Sequence, residues 1–246
     1  MGDGQRLLQA ANQLNRYVYR YAVPILVAPR NAPIGGIRSA TGFFVRLPAG
    51  IFLVTAWHVV EHWIGRRGEP QPVLFQVGDH VAIEPDALIA WDDRASDVVF
   101  IRMTEQQART VDVWVCEPFP RWPPVHPING ASVFMAGYPG QFRLHDGGRD
   151  VLFRNLSAHL VVEETRPNFV VCAFDGAAVF TAEDGTQIPI ADIDIAGMSG
   201  GPVIFVGQWA YPIVALVSEC MGPIIRLATL SHCDDPALTG TLPNVP

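Results

Sequence analysis

A mostly β fold of barrel or sandwich type is predicted by three features of the sequence. Short β-type runs follow one another at close spacing, divided by Gly, Pro and Asp, which interrupt regular structure. Five prolines fall within residues 118–127, in Glu117-Pro118-Phe119-Pro120-Arg121-Trp122-Pro123-Pro124-Val125-His126-Pro127. Such a segment cannot be a helix or a central strand, so it divides the chain into two halves. With 49% hydrophobic and 17% charged residues, the 246-residue chain can bury two small β-domains or one large one.

The elements are taken in chain order. Leu7, Leu8, Ala11, Leu14 and Val18 recur at helical spacing, so residues 4–20 are predicted as an amphipathic helix packed on the first half. A first strand follows at Tyr21–Ala28. That apolar run is too short, too far along and too interrupted by Pro24 to read as a secretion signal. Arg6 occupies the position where myristoylation needs Ser or Thr. Thr41–Leu47 and Ile51–Thr55 form a hairpin around Pro48-Ala49-Gly50, followed by Val73–Val77, Ala87–Trp91 and Val98–Met103. After the proline segment come Ala131–Ala136, Val151–Arg154, His159–Glu163, Phe169–Phe174, Val203–Val206, Ile213–Ser218 and Ile224–Leu230. The expected division is a helical extension (1–22), a first unit (23–116), a linker (117–128) and a second unit with a tail (129–246).

Three segments carry chemistry. In Gly197-Met198-Ser199-Gly200-Gly201-Pro202 a serine sits on a turn where glycines permit left-handed backbone and free N–H groups can face a negative oxygen. Ile51–Thr55 delivers His58 at the end of a strand, where its ring can meet a cleft. Asp97 directly precedes the apolar run Val98-Val99-Phe100-Ile101. Singly, each has an ordinary explanation: a glycine turn, a half-buried histidine, a turn aspartate. Their order along the chain is His, Asp, Ser.

These segments, with Ala136-Gly137-Tyr138-Pro139-Gly140 and Ile213-Val214-Ala215-Leu216-Val217-Ser218, resemble the trypsin/chymotrypsin-like serine peptidases over roughly residues 38–230. The Gly-Tyr-Pro segment is similar to one common in bacterial members. The resemblance implies two antiparallel β-barrels with the active site at their junction. It implies peptide-bond hydrolysis through an acyl-enzyme on Ser199, with His58 as general base and Asp97 holding its tautomer. It further implies an oxyanion hole from the N–H groups of Gly197 and Ser199, and it sets Ser218 beside the aspartate and the substrate backbone. The pocket floor falls at Ile193 by strict counting, or at Asp194 after a one-residue shift, and Cys220 stands where many members have glycine. Ile193 and Cys220 favour a small or medium apolar side chain before the scissile bond.

Departures from the family pattern also bear on function. Met198 occupies the place of the aspartate that pairs with a newly cleaved N-terminus in zymogen-activated members, so that activation is not available. His58-Val59-Val60-Glu61-His62 matches the H-x-x-E-H zinc pattern. A strand before it and Gly65 soon after leave little helix for such a site, so no metal and no cofactor is expected, with a zinc peptidase through His58, Glu61 and His62 as a minor alternative.

All 17 basic residues are arginine, which excludes Ser–Lys catalysis and lysine Schiff bases. Net charge −7 without an arginine cluster argues against nucleic acid, and no run is long enough to span a membrane. The four cysteines are expected as free thiols in a cytoplasmic protein, with Cys172 in the core and a Cys220–Cys233 bridge as the alternative. The expected partner is a protein or peptide substrate laid along a sheet edge. A binding module on the same fold, or a protease completed by an activating protein partner, is the alternative.

Overall fold

A computed structural model describes residues 3–29, 37–118, 121–145, 151–173, 179–189, 193–207, 211–221 and 224–240. Helix α1 (Asp3–Tyr19) leads into strand β1 (Ala22–Pro29), as the helical spacing predicts. Strands β2 (Arg38–Leu47) and β3 (Gly50–Thr55) form the expected hairpin, with Gly50 at φ 136°, a conformation glycine adopts without steric cost. Helix α2 (Trp57–Gly65), β4 (Val73–Val77), β5 (Val81–Ile83), β6 (Ile89–Asp93) and β7 (Val98–Met103) follow. Helix α3 (Glu105–Val111) and β8 (Val115–Cys116) complete the first half.

The second half holds β9 (Ser132–Gly137), β10 (Leu144–His145), β11 (Val151–Leu152), β12 (Leu156–Thr165), β13 (Phe169–Ala173), β14 (Val179–Ala182) and β15 (Gln187–Pro189). Then come β16 (Pro202–Phe205), β17 (Ile213–Met221), β18 (Ile224–Thr229) and helix α4 (Pro236–Thr239). Phe119 and Pro120 of the proline segment, Phe174 and the tail 241–246 lie outside the described residues.

Two eight-stranded sheets and the two-stranded pair β10-β11 result, and the two large sheets are those expected of a two-barrel architecture. The first runs β5-β4-β1-β2-β3-β7-β6 and curls, with β8 added in parallel to β2. In the second, β13-β18-β17-β16-β9-β12 closes into a barrel because β12 also pairs with β13. The crossing between sheets lies between β8 and β9, within the proline-rich stretch. There the Trp122 indole donates to the Cys233 carbonyl at 2.6 Å.

Packing joins the halves. Phe43, Phe44, Phe52 and Phe100 form the first core with no exposed surface, and Phe134, Ala136, Ile204 and Leu216 of the second sheet belong to the same cluster. Cys172 is buried in the second core, as expected. Cys116, Cys172 and Cys233 form no disulfide, so the alternative of a Cys220–Cys233 bridge does not hold.

One placement differs from expectation. Helix α1 lies against β9, β12 and β16 of the second sheet and not on the first alone. The reason is polar: buried Asn15 and Tyr19 need partners, and the second sheet supplies them. The Ser157 hydroxyl donates to Asn15 Oδ1 at 2.6 Å, and the Tyr19 hydroxyl donates to the Thr181 carbonyl. Val18 and Tyr21 meanwhile pack into the first core, so the helix spans the seam.

Candidate active site

Asp97 organises one wall of the cleft. It sits at φ 62°, a left-handed conformation that Asp tolerates better than most residues, in a turn entering β7. Helix α2 begins beside it, and its N-cap, Ala56, has no side-chain acceptor for the helix's first N–H groups. Asp97 supplies both: its carbonyl accepts from Trp57 N–H at 3.2 Å and its Oδ1 from His58 N–H at 2.9 Å. The same carboxylate takes the imidazole, with Nδ1 2.9 Å from Oδ2, and the Ser218 hydroxyl donates to Oδ2 at 2.7 Å. An ionised carboxylate only accepts, so Nδ1 carries the hydrogen and Nε2 keeps its lone pair. Asp92 and Asp93 are engaged elsewhere, with Arg94 and with Ser96 respectively.

His58 therefore stands in the first turn of a nine-residue helix, not at the end of a strand. That corrects the expectation of little helix after His58, and it puts His58 and His62 one turn apart. Among the described residues no three His, Cys, Asp or Glu group to hold a metal ion.

Burial works to lower the His58 pKa, but the Asp97 hydrogen bond and charge, with Glu219 and Glu61, outweigh it and raise it above 6.5. A general base must be neutral to accept a proton. Activity should therefore fall with decreasing pH through a midpoint above 6.5, the ordinary histidine value. A pH profile of kcat/KM whose acid limb lay below that value would contradict this environment.

Ser199 rests on a turn built by residues far away in sequence. Thr41 N–H donates to the Ser199 carbonyl and Thr41 Oγ1 to the Gly197 carbonyl, each at 2.8 Å. Tyr138 N–H in turn donates to Thr41 Oγ1 at 3.0 Å, which ties the Gly-Tyr-Pro segment to the turn. Met198, between them, is fully buried in the second core, so apolar packing anchors the turn. Among the described residues the N–H groups of Gly197 and Ser199 donate to no backbone carbonyl, whereas Met198 N–H is taken by Ile195. No hydrogen bond joins Ser199 to His58, but both line one cleft of about 620 Å³.

The glycines here are required by space. Gly200 has φ 87°, and a Cβ on it would lie 2.1 Å from the Thr41 carbonyl oxygen and 2.2 Å from Thr55 Oγ1. Gly200→Ala should cost about 3 kcal/mol from overpacking and left-handed strain together, read as a lowered Tm. An unchanged Tm would show that this turn is looser than drawn.

A second cleft of about 360 Å³ opens on the other side of Ser199, lined by Ile193, Asp194, Ser218, Glu219 and Cys220. The four residues expected to bind substrate are thus together. Ile193 packs against the second core, while Asp194 is exposed and its Oδ1 accepts from Ala196 N–H at 2.9 Å. One oxygen of the carboxylate thus closes its own turn while the residue lines the cleft. Sequence reasoning missed Thr41, Thr55, Arg38 and Arg143, which reach the site only through tertiary folding.

No family model matches the chain, and no curated protein matches it. Similar solved structures include a thermostable serine protease, AL20, from an extremophilic microorganism, at 8% identity over 90% of this chain and 96% of that one, with TM-score 0.49. An inactivated protease paralogue of the scabies mite matches at 10% identity over 88% of this chain and 92% of that one, with TM-score 0.48. A protease from M. tuberculosis in its active form matches at 18% identity over 97% of this chain and 86% of that one, with TM-score 0.40. At these identities the likeness is one of fold alone.

Proposed function

We propose that the chain is a serine endopeptidase that hydrolyses peptide bonds through an acyl-enzyme on Ser199. One observation carries this reading. A single carboxylate, Asp97, fixes both the backbone and the ring of His58 and accepts from Ser218, and His58 lines one cleft together with Ser199. In this reading His58 Nε2 takes the Ser199 hydroxyl proton as Oγ attacks the scissile carbonyl. The resulting imidazolium is stabilised by Asp97 and then protonates the leaving amine. The uncommitted N–H groups of Gly197 and Ser199 bind the oxyanion. Water, deprotonated by His58, then releases the acyl group. The Ile193–Cys220 cleft takes a small or medium apolar side chain before the scissile bond.

A second reading rests on the missing Ser199–His58 hydrogen bond: a protease whose nucleophile is aligned only when substrate or a protein partner fills the cleft. A fluorophosphonate probe tests the activated serine directly. Rapid labelling of wild type, lost in Ser199→Ala and in His58→Ala, is the expected result. Wild type that labels no faster than Ser199→Ala would refute an assembled nucleophile in the isolated chain. Among the described residues no helix is long and apolar enough to cross a membrane.

A further inference from the structure

The larger cleft holds positive charge that the peptidase chemistry does not use. His58 must protonate the leaving amine, so the cleft it shares with Val59 and His62 takes the part of the substrate after the scissile bond. The cleft by Ser218 and Cys220 takes the part before it. Arg38 and Arg143 both line the leaving-group side. Elsewhere Arg66 is paired with Glu69 and Arg67 with Asp86, but among the described residues neither Arg38 nor Arg143 has a carboxylate partner.

Arg143 is held rigidly. Its Nε donates to the Gly140 carbonyl at 2.8 Å and its Nη1 to the Ile37 carbonyl at 2.6 Å. Burial first, and then the Arg38 charge, push its pKa below the ordinary arginine value, so the two guanidinium groups are held near each other. His62 feels the same field: burial, Arg66 and Arg38 all lower its pKa. Asp194 is the acid on this lining, and its Oδ1 is engaged by Ala196 N–H. Two guanidinium groups against one carboxylate on this lining, in a chain of net charge −7, point to a bound anion.

We propose that the Arg38–Arg143 side of the cleft is a carboxylate subsite, selecting substrates with an acidic group within two residues after the scissile bond. The subsite rests on the peptidase reading for its biological meaning. The carboxylate can come from a Glu or Asp side chain or from a chain terminus.

Quenched peptides sharing one acyl-side sequence distinguish these sources. One set is amidated and carries Glu or Gln at the first or second position after the scissile bond. The other carries Gln at both and ends there in a free carboxylate. About a fivefold higher kcat/KM for Glu over Gln is expected, the size of a partly exposed ion pair, and it should shrink at high salt. A gain confined to the free-carboxylate peptides assigns the subsite to a chain end. Arg38→Glu should reverse the order, so that an Arg-containing peptide outruns the Glu peptide. Equal rates for Glu, Gln and free-carboxylate peptides, or the same ratio in Arg38→Glu, overturn the subsite. Binding to Ser199→Ala, followed by fluorescence anisotropy, reads the subsite without turnover. Discrimination retained there, with no cleavage by wild type, overturns the peptidase reading and leaves the subsite standing.

Discussion

Ser199→Ala is expected to abolish peptide hydrolysis, with a loss of about 10⁶ in kcat, and to leave the fold intact. The magnitude is that of removing the nucleophile of a cooperating unit: without Oγ there is nothing to acylate, and neither His58 nor Asp97 can substitute. The stability half of the prediction comes from the turn's own bonds. Ser199 is held through its carbonyl, by Thr41 N–H, and its neighbours through Met198 packing and the Gly200 N–H bond to the Val217 carbonyl at 2.7 Å. None of these involves the hydroxyl, so alanine preserves the turn and Tm should shift little. Residual hydrolysis at the wild-type rate, measured on one purified preparation, would remove Ser199 from the chemistry.

The sequence was most legible where a local rule decides the outcome. Pro48-Ala49-Gly50 marks the β2–β3 hairpin, and the prolines of 118–127 mark the crossing between sheets, because steric limits act within a few residues. It was less legible where partners are remote. Strand β12 is one ten-residue strand, Leu156–Thr165, although its sequence reads as a strand only over His159–Glu163, since β9 and β13 pair along its length. Helix α3 was missed despite a signal that was present. Thr104 and Gln107 form a capping box, each side chain satisfying the other's backbone N–H. Helix α2 was hidden differently: its cap comes from Asp97, far along the chain, so no local residue announces its start.

The site divides in the same way. His58, Asp97, Ser199 and Ser218 could be picked out because their residue types and order suit one chemistry. Thr41 could not, being a threonine in a buried strand until folding brings it under Gly197 and Ser199. Arg38 and Arg143 likewise have meaning only where the β2 entrance and the segment after Gly140 line one cleft.

Asp97→Asn should cost about 10⁴ in kcat while hardly changing stability. An asparagine keeps an acceptor oxygen for His58 N–H, so the cap on α2 survives, and the Ser218 hydroxyl can rotate to accept instead of donate. The change falls on the ring. An amide NH₂ placed at Oδ2, 2.9 Å from Nδ1, donates where a carboxylate accepts, so the hydrogen moves to Nε2 and the lone pair turns away from Ser199. The imidazolium formed during acylation also loses its counter-charge. Asp97→Ala separates this chemical role from the structural one. It removes the cap at a cost of about 1–2 kcal/mol and leaves alanine at φ 62°, which adds about 1 kcal/mol of strain. Both variants should therefore be nearly inactive, but only the alanine one should melt earlier. Two readings of one pair of variants, kcat and Tm, decide the matter. An Asn variant that kept more than a tenth of wild-type activity would mean that Asp97 caps the helix and does not set the imidazole tautomer.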